Sequence, residues 1–280
     1  MVQKAGKIAF QGELGAYSHQ ACVEVFPNAE VVACKTFESA IATVKRGDAD
    51  LAMLPVENST YGRVADIHYL LPESGLHIIG EHFVRVHINL MGVRGAKLEN
   101  VTSAKSHTVL LGQCRKFLNE HNMLPITGVD TAGSAQEVAA AGDPAQAALA
   151  GDLAAEIYGL DVLAHHIEDN QNNTTRFLVM SPEPALEPQS KEELITTFVF
   201  RVRNIPAALY KAMGGFATNG VNMVKLESYM IGGSFTATQF YADIVGHPDD
   251  EAVQRAMDEL AYFTTHLEVL GVYKADQSRG

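Results

Sequence analysis

The order of elements predicts an α/β protein of two parts: a two-lobed domain built on parallel sheets, and a smaller βαββαβ domain behind it. Three observations carry this. Up to about residue 180, short β-branched runs alternate with segments of helical apolar spacing, as in a parallel sheet with helices on its faces. Leu76–Val93 and Val162–Ile167 read as extended, which suits a chain crossing from one lobe to another and back. Ser181–Glu193 carries Pro182, Pro184 and Pro188 among Glu, Gln and Ser, a semi-extended linker, and beyond it the pattern changes. The expected boundaries are a domain at 1–181 (first lobe about 1–83 and 167–181, second about 84–166), a linker at 182–193 and a final domain at 194–274.

Lys7–Phe10 reads as the first strand, and Gly12-Glu13-Leu14-Gly15-Ala16-Tyr17-Ser18 as a tight turn into a helix ending near Phe26. Glycines there let backbone pass close to a ligand, and free N–H groups at a helix start attract anions. The spacing is neither Walker A nor GxGxxG, so no nucleotide is implied. Val31–Cys34 is a second strand, and Thr36 caps a helix with Phe37, Ala40, Ile41 and Val44 on its apolar side. Asp50–Pro55 is a third strand, running into Val56-Glu57-Asn58-Ser59-Thr60. Ligands of parallel sheets bind beyond the carboxyl ends of the strands, where Glu57, Asn58 and Ser59 stand. Gly62–Leu71 is expected to be helical. The second lobe is expected to hold a strand near Val101, then a helix capped by Ser106 and running through Gln113 and Cys114 to Asn119. A strand at Pro125–Val129, a helix from Ser134, the apolar run Ala147-Ala148-Leu149 and a helix over Asp152–Tyr158 complete it. In the last domain strands are expected at Leu194–Val202, Val221–Met230, Phe235–Val245 and Leu267–Val272, with a turn at Gly232-Gly233. Its helices are Pro206–Thr218, closed by Asn219-Gly220, and Asp249–Tyr262, which makes a ferredoxin-like unit.

The chain has 280 residues, 47% hydrophobic and 19% charged, ordinary for globular domains with a real core. Its net charge of -12 argues against nucleic acid and anionic membrane as partners. Met1–Lys7 lacks a signal-peptide apolar region, and no apolar run reaches the roughly 20 residues of a membrane span, so a cytoplasmic protein is expected. Cys22, Cys34 and Cys114 form no paired framework and are expected to be buried small hydrophobes.

The most distinctive stretch is Asn170-Gln171-Asn172-Asn173-Thr174-Thr175-Arg176-Phe177, which passes into Leu178-Val179-Met180. Its amides favour local hydrogen bonds and read as a turn; its second half opens a strand. Two hydroxyls and a guanidinium at a strand's mouth can donate to an anion or to a leaving oxygen. Taken alone, these eight residues are better described as a polar loop with nothing bound.

Together these stretches resemble prephenate dehydratase over nearly the whole chain. Gly12-x-x-Gly15-x-x-Ser18 matches the family's glycine turn and Pro55-Val56-Glu57-Asn58-Ser59 its Glu-Asn-Ser loop. Ser106-His107 with Gln113-Cys114 matches its Ser-His helix, and Asn172–Phe177 its Asn-x-x-Thr-Arg-Phe signature. The resemblance implies a two-lobed catalytic domain like the type II periplasmic binding proteins, with the active site between the lobes. It also implies a C-terminal ACT domain that pairs in a homodimer or homotetramer and binds L-phenylalanine as allosteric effector. The implied reaction is loss of CO2 and the ring hydroxyl from prephenate, driven by aromatisation, with no cofactor and no metal.

By resemblance Thr175 donates to the departing oxygen, through a positioned hydrogen bond that strengthens as charge develops. Asn58, Ser59, Thr174 and Arg176 are candidates for holding the two carboxylates, with Ser18 and the adjacent helix start assisting. Glu57 either orients Thr175 or bonds the ring hydroxyl, and Arg176 either forks a carboxylate or pairs with a nearby acid. His107, facing the cleft or structural, Gln113, and Phe177, more core than stacking residue, complete the substrate set. The implied effector residues are Asn204, Ala207, Ala208, Leu209, Glu227 and Ser228. Here the sequence departs from the family: Pro206-Ala207-Ala208-Leu209 replaces Pro-Gly-Ala-Leu, and Glu227-Ser228-Tyr229-Met230 replaces Glu-Ser-Arg-Pro. Two alternatives stand beside this reading. Arogenate dehydratase shares the motifs and differs in the substrate's amino group; a non-enzymatic amino-acid sensor of the same build would have no use for the Thr-Arg-Phe donor.

Overall fold

The computed structural model describes residues 5–185, 193–231 and 237–279. Strand β1 (Lys7–Gln11) leads through the glycine turn to helix α1 (Tyr17–Val25), β2 (Glu30–Cys34), α2 (Phe37–Lys45) and β3 (Leu51–Asn58). β1 pairs in parallel with β2 and β3. Thr36 caps α2 reciprocally: Ser39 N donates to Thr36 Oγ1 at 3.1 Å and Thr36 N to Ser39 Oγ at 3.0 Å. β3 runs on to Asn58 because β4 (Gly62–Arg63) folds back and pairs with Glu57 and Asn58. The helix expected from Gly62 therefore begins only at Ala65, as α3 (Ala65–Leu70) with a 3-10 turn at Leu71–Glu73 behind it.

The long extended run is two strands, β5 (His77–Arg85) and β6 (Asn89–Gly92). The chain continues through β7 (Ser103–Ser106), α4 (Thr108–Gln113), α5 (Arg115–Glu120), β8 (Leu124–Thr127) and α6 (Thr131–Ala141). Then come β9 (Gln146–Ala150), α7 (Asp152–Tyr158), β10 (Asp161–Ala164) and β11 (Thr174–Ser181), which opens on the Thr-Arg motif. Several expectations shift. The strand expected near Val101 is β7, which begins at Ser103 after Val101 closes a 3-10 turn, and Cys114 divides the expected single helix. α6 starts at Thr131, capped by Asp130, and β10 stops before His165. The cap of α4 is His107, whose Nδ1 accepts from Val109 N at 3.3 Å. Ser106 ends β7 instead, where its hydroxyl donates to Leu149 O at 2.8 Å, an acceptor supplied by the neighbouring strand.

The C-terminal order is as expected: β12 (Leu194–Val202), α8 (Ala208–Thr218), β13 (Met223–Met230), β14 (Ala237–Val245), α9 (Glu251–Phe263) and β15 (Thr264–Lys274). The turn expected at Gly232-Gly233, the strand start at Phe235 and linker residues 186–192 lie outside the described residues.

The chain divides into two compact units. The first holds residues 5–64 and 82–177 and contains both lobes. One lobe has β11, β3, β1 and β2 side by side in that order; the other is a five-stranded sheet, β10-β6-β9-β7-β8. Ile88, Leu90, Ala104, Cys114, Ala147 and Leu149 form the solvent-free centre of the second lobe. The second unit holds Ala65–Glu81 and 178–279, with strand order β13-β14-β12-β15-β5. α8 and α9 cover one face over Phe198, Phe200, Phe240 and Ile244. Strand residues alternate faces, so Tyr241 points the other way. There His68 meets Tyr229 and Tyr241 edge-on, at ring distances of 6.4 and 5.1 Å. β15 touches β5 at Gly271 beside Ile78, where a Cβ would lie 2.1 Å from Ile78 O, so only glycine fits. No helix among the described residues is long and apolar enough to cross a membrane. All three cysteines are buried and free, as expected.

Candidate active site

Within the first unit the loop ends of the two lobes meet. Gly15, in the turn after β1, has φ +90°, and a Cβ on it would sit 2.8 Å from Ala154 Cα in α7. The glycine turn therefore packs backbone against backbone across the lobes. Three tyrosines bridge them: Tyr17 Oη donates to His87 O at 2.7 Å, Tyr158 Oη to Leu14 O at 2.7 Å and Tyr61 Oη to Val109 O at 3.4 Å. Burial pushes the Tyr17 phenol well above its ordinary pKa, helped by Cys114, Glu168 and Asp152, so it stays protonated and a donor.

The crossovers are tied together beside it. Ile167 N donates to Ile88 O at 2.8 Å and Val86 N to Asn173 O at 2.9 Å. Buried Glu168 accepts from Ile88 N at 2.9 Å through Oε2 and meets His87 Nδ1 at 3.2 Å through Oε1. His87 stacks on His166 at 4.0 Å.

From there β11 runs next to β3, and residues more than a hundred positions apart come into contact. Asn58 Nδ2 donates to Asn173 Oδ1 at 2.6 Å and to Thr175 Oγ1 at 3.0 Å. Asn58 Oδ1 accepts from Thr60 N at 2.9 Å and Tyr61 N at 3.0 Å. Ser59 staples the same strands: its hydroxyl donates to Asn172 O at 2.8 Å and accepts from Thr174 N at 2.9 Å, while Ser59 N donates to Thr174 O. Arg176 Nη1 donates to Glu57 Oε1 at 2.9 Å; the guanidinium side chain is 2% exposed and the carboxylate 28%. This bond is the pairing with a nearby acid, one of the two roles open to Arg176 from the sequence. The result is a half-buried hydroxyl, Thr175, held by a fixed amide, an arrangement able to donate to a leaving oxygen.

The other candidates do not bond to Asn58 or Thr175. Ser18 is buried in the first turn of α1, and His107 caps α4. Gln113 is buried at the end of α4, its backbone O accepting from Asp169 N at 2.6 Å, while its Oε1 has no partner among the described residues. Phe177 is a core residue, 1% exposed. No group of three His, Cys, Asp or Glu among the described residues is placed to hold a metal ion. Sequence reasoning passed over Asn173, Glu168 and His87. Asn173 stood inside the amide run but carried no signal separating it from its neighbours, and nothing local marks Glu168 as the partner of a crossover segment eighty residues away.

In the second unit, Asn204 to Leu209 lie where β12 gives way to α8, and Ala207 has the left-handed φ of +60°. Glu227 and Ser228 lie on β13, the outer strand, with β14 between it and β12. Glu227 pairs with Lys225 at 3.4 Å.

Residues 8–185 match the model of the prephenate dehydratase family. A protein of Komagataeibacter europaeus named bifunctional N-acyl-homoserine lactone acylase/prephenate dehydratase is 48% identical over 272 residues, 97% of either chain. The chloroplastic arogenate dehydratase/prephenate dehydratase 1 of Arabidopsis thaliana is 37% identical over 98% of this chain and 73% of its own length. Among solved structures, prephenate dehydratase from Arthrobacter aurescens in complex with L-Phe superposes with TM-score 0.87 at 31% identity, covering 98% of this chain and 91% of that one.

Proposed function

The chain belongs to the prephenate dehydratase family, and from that premise we propose that it converts prephenate to phenylpyruvate in phenylalanine biosynthesis. It is an enzyme, a lyase carrying out the dehydratase-type reaction on prephenate or arogenate. The observation that carries the finer reading is Thr175, its oxygen 3.0 Å from the Asn58 amide at the start of β11. In the proposed reaction the bond to the ring carboxylate breaks, its electron pair aromatises the ring, and the C–O bond to the ring hydroxyl breaks at the other end. Thr175 donates to that oxygen as negative charge grows on it. Ser18 and the start of α1 take a substrate carboxylate. Preference for prephenate over arogenate is supported by the Glu57 carboxylate, which would suit arogenate's ammonium group but is bonded to Arg176.

The C-terminal subdomain, ferredoxin-like and consistent with an ACT fold, is proposed to bind L-phenylalanine through Asn204, Ala207, Ala208, Leu209, Glu227 and Ser228. Since β13 lies two strands from the start of α8, one ligand touching both sets suits a site completed by a second copy of the chain, a homodimer or homotetramer.

The test is an assay of the purified chain with prephenate and arogenate in parallel; turnover of neither overturns the proposal. Thr175→Ala should lower kcat by about 10²–10⁴-fold with little change in KM. A second reading comes from the relative 48% identical over nearly its whole length, whose name includes N-acyl-homoserine lactone acylase. Release of free homoserine lactone from an N-acyl-homoserine lactone by the same preparation would establish it.

A further inference from the structure

We propose that Asn173 is a positioning residue for the reaction, setting through the Asn58 amide the direction in which the Thr175 hydroxyl proton points. This rests on the reading of Thr175 as the donor to the leaving oxygen.

The argument is one of hydrogen-bond polarity. A backbone N–H can only donate, and two of them, Thr60 N and Tyr61 N, converge on one atom of the Asn58 side-chain amide. That atom is therefore the oxygen, and the other is the NH2 group. An NH2 group can only donate. The Asn173 atom 2.6 Å from it is then the Asn173 oxygen, and Thr175 Oγ1, 3.0 Å away, is an acceptor of that bond. With one lone pair of Thr175 facing the Asn58 NH2 group, which cannot accept, its own proton is directed elsewhere, to whatever acceptor enters the site. If the Asn58 amide were turned over, its oxygen would capture the Thr175 proton, and the hydroxyl would donate within the protein instead of to substrate.

Asn173 helps prevent that turn. It occupies the second N–H of the Asn58 amide, is itself 2% exposed, and is anchored through its own backbone O, which accepts from Val86 N at 2.9 Å. Val86 stands in the crossover between β5 and β6, so the donor's direction is built into the segment that joins the lobes.

The test uses the full chain, with steady-state kinetics on prephenate and thermal melting to check folding. Asn173→Ala should lower kcat about 10- to 100-fold, a loss of orientation rather than of binding, so KM should move little. Asn173→Asp keeps an oxygen facing Asn58 and should recover at least tenfold over the alanine variant. The decisive measurement is the double variant Asn173→Ala/Thr175→Ala, which should be no slower than Thr175→Ala alone, because Asn173 acts through that hydroxyl. Multiplying losses overturn the inference while leaving Thr175 as donor. Near-wild-type Thr175→Ala overturns the donor reading itself. If Asn173→Ala does not fold, Asn173→Leu decides the point: it fills the same space without an acceptor for the Asn58 amide and should lower kcat about 10- to 100-fold. A rate close to wild type in that variant sinks the inference.

Discussion

Two arginines, one in each unit, are buried against carboxylates, but burial falls on opposite partners. In the first unit Arg176 is the buried member, 2% exposed, while Glu57 retains 28%. In the second unit Arg279 is 15% exposed and its two carboxylates, Glu81 and Asp243, are fully buried. Arg279 forks Glu81 with Nε at 2.9 Å and Nη2 at 2.8 Å, and Nη2 reaches Asp243 Oδ2 at 3.0 Å. Asp243 Oδ1 accepts from Thr197 Oγ1 at 2.7 Å, and Asp276 N donates to Glu81 Oε1 at 3.0 Å. Losing one partner of a buried pair is costly because the charge left behind cannot rehydrate. The pair at Arg176 leaves a carboxylate that water reaches; the cluster at Arg279 leaves two that it does not. The first pair is open to solvent on its acidic side, whereas the second buries both acids under one guanidinium.

The strongest way to break this comparison is to end the chain at Ala185. That removes Asp243 and Arg279 together, the strand beside Ile78 and the rings that cover His68. Each uncovered large apolar side chain forfeits about 1.5–3 kcal/mol against a typical total stability of about 5–15 kcal/mol. The truncated chain should therefore unfold at much lower urea than the full chain. An unchanged transition would show that Ala65–Glu81 stands without the C-terminal subdomain.

Next in size is Arg279→Met, expected to cost about 3–5 kcal/mol in urea unfolding. Arg176→Met should cost less, about 1.5–3 kcal/mol for a lost charge-assisted bond, while impairing turnover. Equal stability losses for the two would remove the distinction between them.

His19 adds a pH term from a buried neutral group. Its Nδ1 accepts from Gly15 N at 3.0 Å, its ring stacks on Phe10, and burial lowers its pKa. The unfolded chain therefore takes up this proton first, and stability is lost as pH falls below the ordinary histidine range near 6.5. His19→Asn should flatten the dependence of the urea midpoint between pH 7 and 5; an unchanged slope would clear His19 of it.

The smallest effect is expected at Ala207, whose left-handed φ costs about 1–2 kcal/mol for a residue with a Cβ. Ala207→Gly should raise the melting temperature, by a net of about 0.5–1 kcal/mol after the unfolded chain's gain in freedom. A lower melting temperature would mean that the alanine methyl is stabilising where it sits.

Much of this was legible in residue order. Thr36 wrote the cap of α2, the β-branched and aromatic run Leu194–Val202 wrote β12 to the residue, and the linear motifs named both strands of the candidate site. Capping and strand propensity act over a few residues, so sequence carries them. The expected helix at Gly62 failed because pairing of Gly62 and Arg63 with Asn58 and Glu57 outweighed local preference. Ser106 lost its role as cap to His107 because Leu149 O lies beside it in the neighbouring strand. Ala207 was marked by its departure from the family pattern, yet only the folded backbone shows that it occupies positive φ.

What the sequence by itself determined was most of the elements, the presence of Asn58, Thr175 and Arg176, and the chemistry open to each. Which of those side chains meet, and which way their hydrogens point, was decided by tertiary structure alone. An amide's orientation depends on donors from both sides at once. Those at Asn58 come from Thr60 and Tyr61 on one side, and its acceptors from Asn173 and Thr175, more than a hundred residues along the chain, on the other.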